Sequence, residues 1–256
     1  MSTAAFTRWR FAPPLVGLGT LVAFIGLMQA LIYFRVLNPF IVPYPTDIAQ
    51  AFERIIVEEH VFDRFLLTLK ECVTAAALLA VFGISIGTLL HKVDILRRAT
   101  ETWVAAAAAA PTVLMYPLFL VIFGRSAWTI IMMGFIAGLP AVILKTIEGL
   151  SGTKRVLINV GHSFKLSPWQ MFWKIQFPSA LPTIFTGFKL GLIFALINVV
   201  GVEFLINFGG LGQLINDLAE RYDLAGTYAA ICFVILVSVL FFIVVEWVER
   251  WLTRAA

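Results

Sequence analysis

The sequence predicts an all-α integral membrane protein with six transmembrane helices. Hydrophobic residues make up 61% of its 256 residues and charged residues 13%, against about 45–50% and about 25% in soluble domains. Six apolar runs each approach the ~20 residues that a helix needs to cross the hydrocarbon core. No shift in composition marks a second domain, so residues 1–256 are expected to form a single one.

The predicted spans follow one another with short polar breaks. Arg8 and Arg10 precede the first run, which is too long for a cleaved signal peptide and has no small-residue cleavage site after it. An amphipathic segment at residues 46–64 is expected to form a helix outside the membrane, capped by Thr46. The six spans are predicted at residues 11–34, 65–90, 103–123, 127–144, 184–206 and 225–245.

The connections and small residues add detail. Residues 91–98 are predicted to form a short basic loop, and residues 207–224 a glycine-containing loop on the opposite side of the membrane. The third span holds six consecutive alanines, 105–110, ahead of Pro111. They form a smooth face for a neighbouring helix or a moving gate. Gly-x-x-x-Gly pairs in spans two, four and five predict close helix packing, either within the chain or between subunits.

The distribution of Lys and Arg predicts the orientation. Six spans place both termini on one side of the membrane. The segments on that side hold 11 Lys and Arg residues and the opposite segments hold 5. Because positive charge accumulates in cytoplasmic segments, both termini and the long connection before the fifth span are expected in the cytoplasm.

Residues 159–182 are the longest polar interruption and are predicted to form two short helices. Val156, Val160 and Phe164 recur every four residues, which places them on one helical face. Ser167 is a good N-cap, followed by Pro168 at the first helical position and completed by Gln170 in a capping box. Apolar residues crowd the second helix, and Pro178 is expected to end it. The helix carries Trp169, Met171, Phe172, Trp173, Ile175 and Phe177. Structured apolar surface at the membrane edge indicates a docking site.

At these residues the chain resembles the membrane subunits of bacterial ABC importers, in particular the nitrate, sulfonate and taurine permease family. The resemblance extends from about Pro39 onward, and the matching motif positions are Trp169, Gln170, Phe172, Pro178, Ala180, Leu181 and Pro182. Three positions differ. Asn159 replaces a glutamate, Gly161 an alanine and Lys165 a glycine. A lysine adopts a positive φ only at an energetic cost, whereas glycine adopts it freely.

The resemblance implies a type I ABC importer permease fold and a set of partners. Residues 151–182 would be the cytoplasmic ATPase-coupling loop, with contacts from Val160, Phe164, Lys165, Leu166, Ser167, Trp169 and Phe172. The partners implied are ABC ATPase subunits, a second permease subunit and an external binding protein that delivers a small anion or a heterocyclic metabolite. The departures in the motif favour a heterodimer, because a homodimer would carry them at both docking sites. A homodimer with a co-adapted ATPase is the alternative.

No catalytic or cofactor site is predicted in this chain. It lacks a Gly-x-x-x-x-Gly-Lys-Ser/Thr loop, so ATP and magnesium would be bound by the partner ATPase. Its three histidines stand apart, and no metal site is expected. The chain is expected in the lipid of a bacterial inner membrane without a nucleic-acid partner. The modest net charge of +4 is attributed to Lys and Arg in the cytoplasmic loops and not to affinity for nucleic acid.

Two polar residues in the fifth span are candidate pathway or anchoring residues. Glu203 lies in an apolar stretch near the outer end, where the resembled family also has a glutamate. It is expected either to anchor that end through hydrogen bonds or to lie on the solute path. Asn198 could share its network.

The sequence lacks the features of two other classes of membrane protein. An ion-gradient-driven secondary transporter should show broken or charged mid-membrane helices and inverted repeats, and neither is clear in this sequence. A membrane enzyme should show a cluster of nucleophile, base or metal ligands near one membrane face, which the sequence lacks.

Overall fold

The computed structural model of the protein describes residues 12–254, which are mostly helical and contain no β-strand. The α-helices are α1 (Ala12–Tyr33), α2 (Pro45–Val57), α3 (Val61–Leu78), α4 (Ile84–Lys92), α5 (Asp94–Ala109), α6 (Tyr116–Phe123), α7 (Ala127–Ser151), α8 (Arg155–Ser163), α9 (Pro168–Met171), α10 (Phe177–Ile206), α11 (Gly210–Glu220) and α12 (Leu224–Arg254). A π-helical turn joins α3 to α4 and another joins α9 to α10, while a 3₁₀ turn precedes α6. The all-α prediction is confirmed.

Five continuous helical segments are long and apolar enough to cross a membrane. They are Leu15–Tyr33, Val61–Lys92, Ala127–Ser151, Pro168–Ile206 and Leu224–Arg250. A sixth crossing is completed if α5 and the segment Thr112–Phe123, which meet at 94°, count as one broken span. The six predicted spans therefore each correspond to helical structure, and only the third is broken.

The prediction that the third span is one continuous helix over residues 103–123 is wrong. The helix stops at Ala109, and Ala110 adopts an extended conformation with ψ of 138°. The cause is Pro111, because a proline ring disfavours the helical conformation of the residue before it. The predicted basic loop at 91–98 is also wrong, since α4 runs through Lys92 and α5 begins at Asp94.

Three smaller predictions also need correction. Thr46 does not cap α2, because Pro45 already occupies the first helical position and Tyr44 is the N-cap. Pro178 does not end the helix after Ser167, since the π turn Phe172–Gln176 leads directly into α10. Such a turn adjusts the local hydrogen bonding and makes a proline tolerable within a span. Residues 207–224 are not only a loop, because they contain α11.

Helices α7 and α10 form the central pair of the fold. A Cβ atom placed on Gly138 would overlap the backbone of Gly191, and one placed on Gly191 would lie 3.0 Å from the Gly138 carbonyl oxygen. Gly134 likewise faces Val199, since a Cβ atom placed on Gly134 would lie 2.8 Å from Val199 Cγ2. The glycine pairs thus allow close packing within the chain.

Helix α1 is apolar on all sides and nearly detached from the rest of the chain. Only 6% of this span is buried, against 56% for α7. Its exposed apolar surface would be covered by lipid or by another membrane chain. Arg8 and Arg10, which contribute to the predicted orientation, lie outside the described residues.

Candidate functional site

The predicted docking region folds into α8, a tight turn, α9 and the start of the fifth span. Its apolar side chains remain largely uncovered. Val156 is 70% exposed, Phe164 76% and Trp169 66%. Val160 and Trp173 are each nearly half exposed. We call these five residues the coupling surface.

Helix α8 ends in a turn whose left-handed residue is Lys165. Its φ is +50°, its amide donates to the His162 carbonyl at 2.9 Å, and the Leu166 amide donates to the Gly161 carbonyl at 3.1 Å. This pair of bonds is the Schellman arrangement, which usually has glycine at the left-handed position. The glycine of the resembled motif, which Lys165 replaces, therefore corresponds to a backbone requirement.

The second helix begins as predicted, with a complete capping box. The Gln170 amide donates to Ser167 Oγ at 3.3 Å, and the Ser167 amide donates to Gln170 Oε1 at 3.0 Å. Pro168 occupies the first helical turn. These bonds satisfy amides that a helix start would leave unpaired, so the turn between α8 and α9 is held at both ends.

The remaining predicted coupling residues differ in exposure. Ser167 and Lys165 are exposed and Leu166 is half-buried. Phe172 is only 6% exposed and packs with Leu150 and Ile184 in the core. Phe172 therefore supports the coupling surface from beneath.

The sequence did not predict the contacts that link the coupling surface to α4, and α4 to α5 through Ser151. Lys92 Nζ lies 4.4 Å from the ring centroid of Phe172 and 6.0 Å from that of Trp169. Arg97 donates to Ser151 Oγ at 3.1 Å, and His91 Nδ1 lies 3.2 Å from the same oxygen. The basic residues predicted to form a loop therefore join the coupling surface, the end of α7 and the broken third span.

At the opposite end of the fold, Glu203 is fully buried and closes the start of α11. Its Oε1 atom accepts a hydrogen bond from Thr68 Oγ1 at 2.7 Å, and its Oε2 atom accepts one from the Gly212 amide at 2.8 Å. Thr68 Oγ1 also accepts from the Leu211 amide at 2.9 Å. A carboxylate at a helix start satisfies unpaired amides and interacts favourably with the helix dipole.

Two glycines give Glu203 room to reach these amides. A Cβ atom on Gly210 would overlap the carboxylate, and Gly210 has a φ of +80°. A Cβ atom on Gly212 would lie 2.7 Å from the Cβ atom of Glu203. Only glycine fits these two positions without displacing the carboxylate.

Thr68 and Glu71 complete this cluster and were not predicted as site residues. Glu71 is 6% exposed, its carboxyl group lies against that of Glu203, and its Oε2 atom has no hydrogen-bond partner within residues 12–254. It lines a small pocket of about 150 Å³ with Lys70, Thr74 and Phe208. The sequence signal for Thr68 and Glu71 was their spacing, because two polar residues three positions apart in a span share a helical face.

Asn198 does not share the Glu203 network. Its Oδ1 atom accepts from Thr112 Oγ1 at 3.0 Å, and its Nδ2 atom donates to the Phe194 carbonyl at 2.9 Å. Asn198 thus attaches the broken third span to α10 just after the bend.

Comparison with known families identifies the group of proteins. The model of the binding-protein-dependent transport system inner membrane component matches residues 80–254. The chain belongs to this family.

Curated relatives of this permease span most of its length. It is 26% identical over 214 residues to the formylaminopyrimidine transport permease ThiX of Halalkalibacterium halodurans, covering 83% of this chain and 85% of the relative. It is 26% identical over 246 residues to the riboflavin permease RibX of Chloroflexus aurantiacus, with 96% and 92% covered. The taurine permease TauC of Escherichia coli is 21% identical over 252 residues, again with 96% and 92% covered.

Solved structures share the permease fold. The inward-facing MetNI methionine ABC transporter aligns with a TM-score of 0.66 at 19% identity, covering 75% of this chain and 96% of that one. An amino acid ABC transporter aligns with a TM-score of 0.59 at 14% identity, covering 80% and 98%. The predicted type I ABC importer fold is confirmed, and the protein is a membrane permease subunit of an ABC importer. Membership implies an ATPase and a solute-binding protein as partners.

Proposed function

We propose that this permease converts ATPase closure at the coupling surface into alternating access for a small solute. The observation that carries the proposal is the exposed apolar face of residues 151–182 on a rigid frame, in a chain with no nucleotide-binding loop of its own. A conformational equilibrium shifts only when a partner contacts the two states differently. The links from Lys92, His91 and Arg97 provide a route from this surface to α5.

The contacts proposed for the ATPase are Val160, Phe164, Lys165, Leu166, Ser167 and Trp169, with Phe172 beneath them. ATP and magnesium would be held by the ATPase, and this chain would perform no covalent chemistry. Both termini would lie in the cytoplasm of a bacterial inner membrane, as the positive-inside distribution indicates.

We propose a small organic anion or a heterocyclic metabolite as the solute. The names of the relatives support this range, because they are permeases for formylaminopyrimidine, riboflavin and taurine. An external binding protein would deliver the solute. Asn198 and the bend at Ala110–Pro111 are the proposed pathway elements, whereas Glu203 is proposed as an outer anchor.

A heterodimer of two different permease chains is the proposed assembly. Asn159 offers no carboxylate to a basic group on the ATPase, and Lys165 adds positive charge in a strained turn. A partner permease with an intact motif would let the complex tolerate one weaker site.

Substitution of Phe164 by Asp tests the coupling surface. Burying a large apolar side chain contributes about 1.5–3 kcal/mol, and each ~1.4 kcal/mol is a tenfold change in affinity. The variant should therefore release the ATPase from the detergent-purified complex by roughly tenfold or more, while the permease stays folded in size-exclusion chromatography. Phe164→Leu, which keeps most of the apolar area, is the matched control and should retain the ATPase. Undiminished retention in Phe164→Asp would refute the proposal.

A further inference from the structure

The turn between α11 and α12 presents an aromatic side chain in an unusual backbone conformation. Tyr222 has a φ of +59° and is 88% exposed. Its amide donates to the Ala219 carbonyl at 3.0 Å, and the Asp223 amide donates to the Leu218 carbonyl at 3.0 Å. This is the same Schellman arrangement as at Lys165, and again glycine would be the usual residue.

A tyrosine is conformationally unfavourable at this position. A left-handed conformation brings Cβ close to the following carbonyl oxygen, so a bulky residue there is an outlier. The ring of Tyr222 makes no ring contact within residues 12–254 that would offset this strain. Backbone strain of this kind clusters at functional sites.

Ion pairs fix the turn on both sides of Tyr222. Arg221 binds Glu59 of the α2–α3 connection at 2.7 Å, and Asp223 binds Arg54 of α2. Asp223 also accepts the Gly226 amide at 3.0 Å. The ring is thus held outward on a rigid support, and a preorganised contact loses little conformational entropy when a partner binds.

The surface around the turn is acidic. Residues 44–64 and 207–224 contain eight Asp and Glu residues and three arginines. All three arginines pair with carboxylates of the same surface, the third through Arg64 and Asp217 at 2.9 Å. Exposed Glu58, which precedes Glu59, has no ion pair within the described residues. With Arg35 and Arg125, the outer segments hold five arginines against eight Asp and Glu residues, so their net charge is negative.

We propose that Tyr222 is the docking contact for the external solute-binding protein, whose matching surface would be an apolar pocket rimmed by Lys and Arg. This inference rests on the proposed function and orientation. The charge disfavours two other occupants. An acidic surface repels anionic lipid headgroups and also repels an identical copy of itself, whereas it attracts a basic soluble partner. Exposed tyrosines on rigid supports are frequent hot spots of interfaces.

Substitution of Tyr222 by Gly separates docking from folding. Glycine suits the left-handed turn, so the variant should be at least as thermostable as wild type. The assay uses proteoliposomes holding the permease and its ATPase, and titrates the purified cognate binding protein against the ATPase rate. We expect the half-saturating concentration to rise about tenfold or more with an unchanged maximal rate, because a hot-spot side chain is lost. Tyr222→Phe should stay close to wild type.

Matched controls exist elsewhere in the chain. Arg35 ends α1 in the same turn with a φ of +57°, so the gain in thermal stability of Arg35→Gly gives a reference for the strain that Tyr222→Gly removes. Photoreactive p-benzoylphenylalanine in place of Tyr222 should crosslink to the binding protein. Crosslinks to the other permease subunit or to lipid, or an unchanged titration in Tyr222→Gly, would overturn the docking site. If the binding protein fails to stimulate even wild-type ATPase, the proposed importer function fails as well.

Discussion

Glycine at position 165 should stabilise the turn of the coupling surface relative to alanine at the same position. Lys165 holds the left-handed position at the end of α8, directly before the capping box of α9. Its side chain is exposed, so glycine removes no core packing. The effect should therefore come from backbone conformation and from the charge alone.

The expected magnitude follows from two opposing backbone effects. A non-glycine residue in the left-handed conformation is destabilised by about 1–2 kcal/mol. Glycine increases the entropy of the unfolded segment, which offsets about 0.5–1 kcal/mol of that gain. The lysine charge also interacts favourably with the C-terminus of α8 by about 0.3–1 kcal/mol. Lys165→Ala is the matched control, because it removes the charge and keeps the Cβ strain. Relative to Ala, Gly should stabilise the turn by about 0.5–1 kcal/mol.

Hydrogen exchange of the Leu166 amide measures this difference, because that amide is bonded to the Gly161 carbonyl across the turn. A gain of about 0.5–1 kcal/mol slows exchange through local opening by about two- to fivefold. Retention of the ATPase should improve in the same order, with Gly above Ala. Equal or faster exchange in Lys165→Gly than in Lys165→Ala would refute the strain argument.

Three further predictions address the anchor, the link to α5 and the assembly. Glu203→Gln keeps the shape and one acceptor, so it should lower thermal stability less than Glu203→Ala and transport normally at each pH tested. Lost transport with unchanged stability would instead place the charge on the solute path. Lys92→Met should lower the amount of solute transported per ATP hydrolysed, because it removes a cation–π contact worth about 0.5–1 kcal/mol. Lys92→Arg keeps the cation and should not lower it. An equal ratio of transport to ATP hydrolysis in both variants would exclude the link from the coupling surface to α5. Expressed with its ATPase alone, the chain should form no stable complex, and a stable, active complex would exclude the obligate heterodimer.

The helical spans were predictable because bilayer thickness and backbone hydrogen bonding leave few alternatives. Apolar runs of about 20 residues must be helical in lipid. The errors occurred where one residue changes the backbone locally. Pro111 breaks the third span, whereas Pro178 is accommodated behind a π turn. Periodicity does not distinguish these two outcomes, since they depend on the hydrogen bonds available around each proline.

The candidate sites were predictable only in part. The capping box at Ser167 and Gln170 depends on local spacing, so the sequence indicated it correctly. The neighbours of Glu203 come from distant parts of the chain, with Thr68 separated from it by 135 residues. Burial and hydrogen bonding across such distances are properties of the packed helices, which is why Thr68 and Glu71 gave only a weak signal.

Several helix ends lack the glycine that usually marks them, so the sequence did not indicate their left-handed turns. These turns are also where backbone strain is concentrated. Arg35, Lys165 and Tyr222 each occupy the left-handed position of a Schellman turn, so the usual glycine marker of a helix end is absent. At Tyr222 the neighbouring ion pairs of Arg221 and Asp223 help to hold the turn. No ion pair within residues 12–254 involves Lys165 or its immediate neighbours. The turn at Lys165 is therefore held by its backbone bonds, by the adjacent capping box and by the close packing of Gly161 on Met171 and Ile175. A bound ATPase that packs on Phe164 would stabilise this strained turn further.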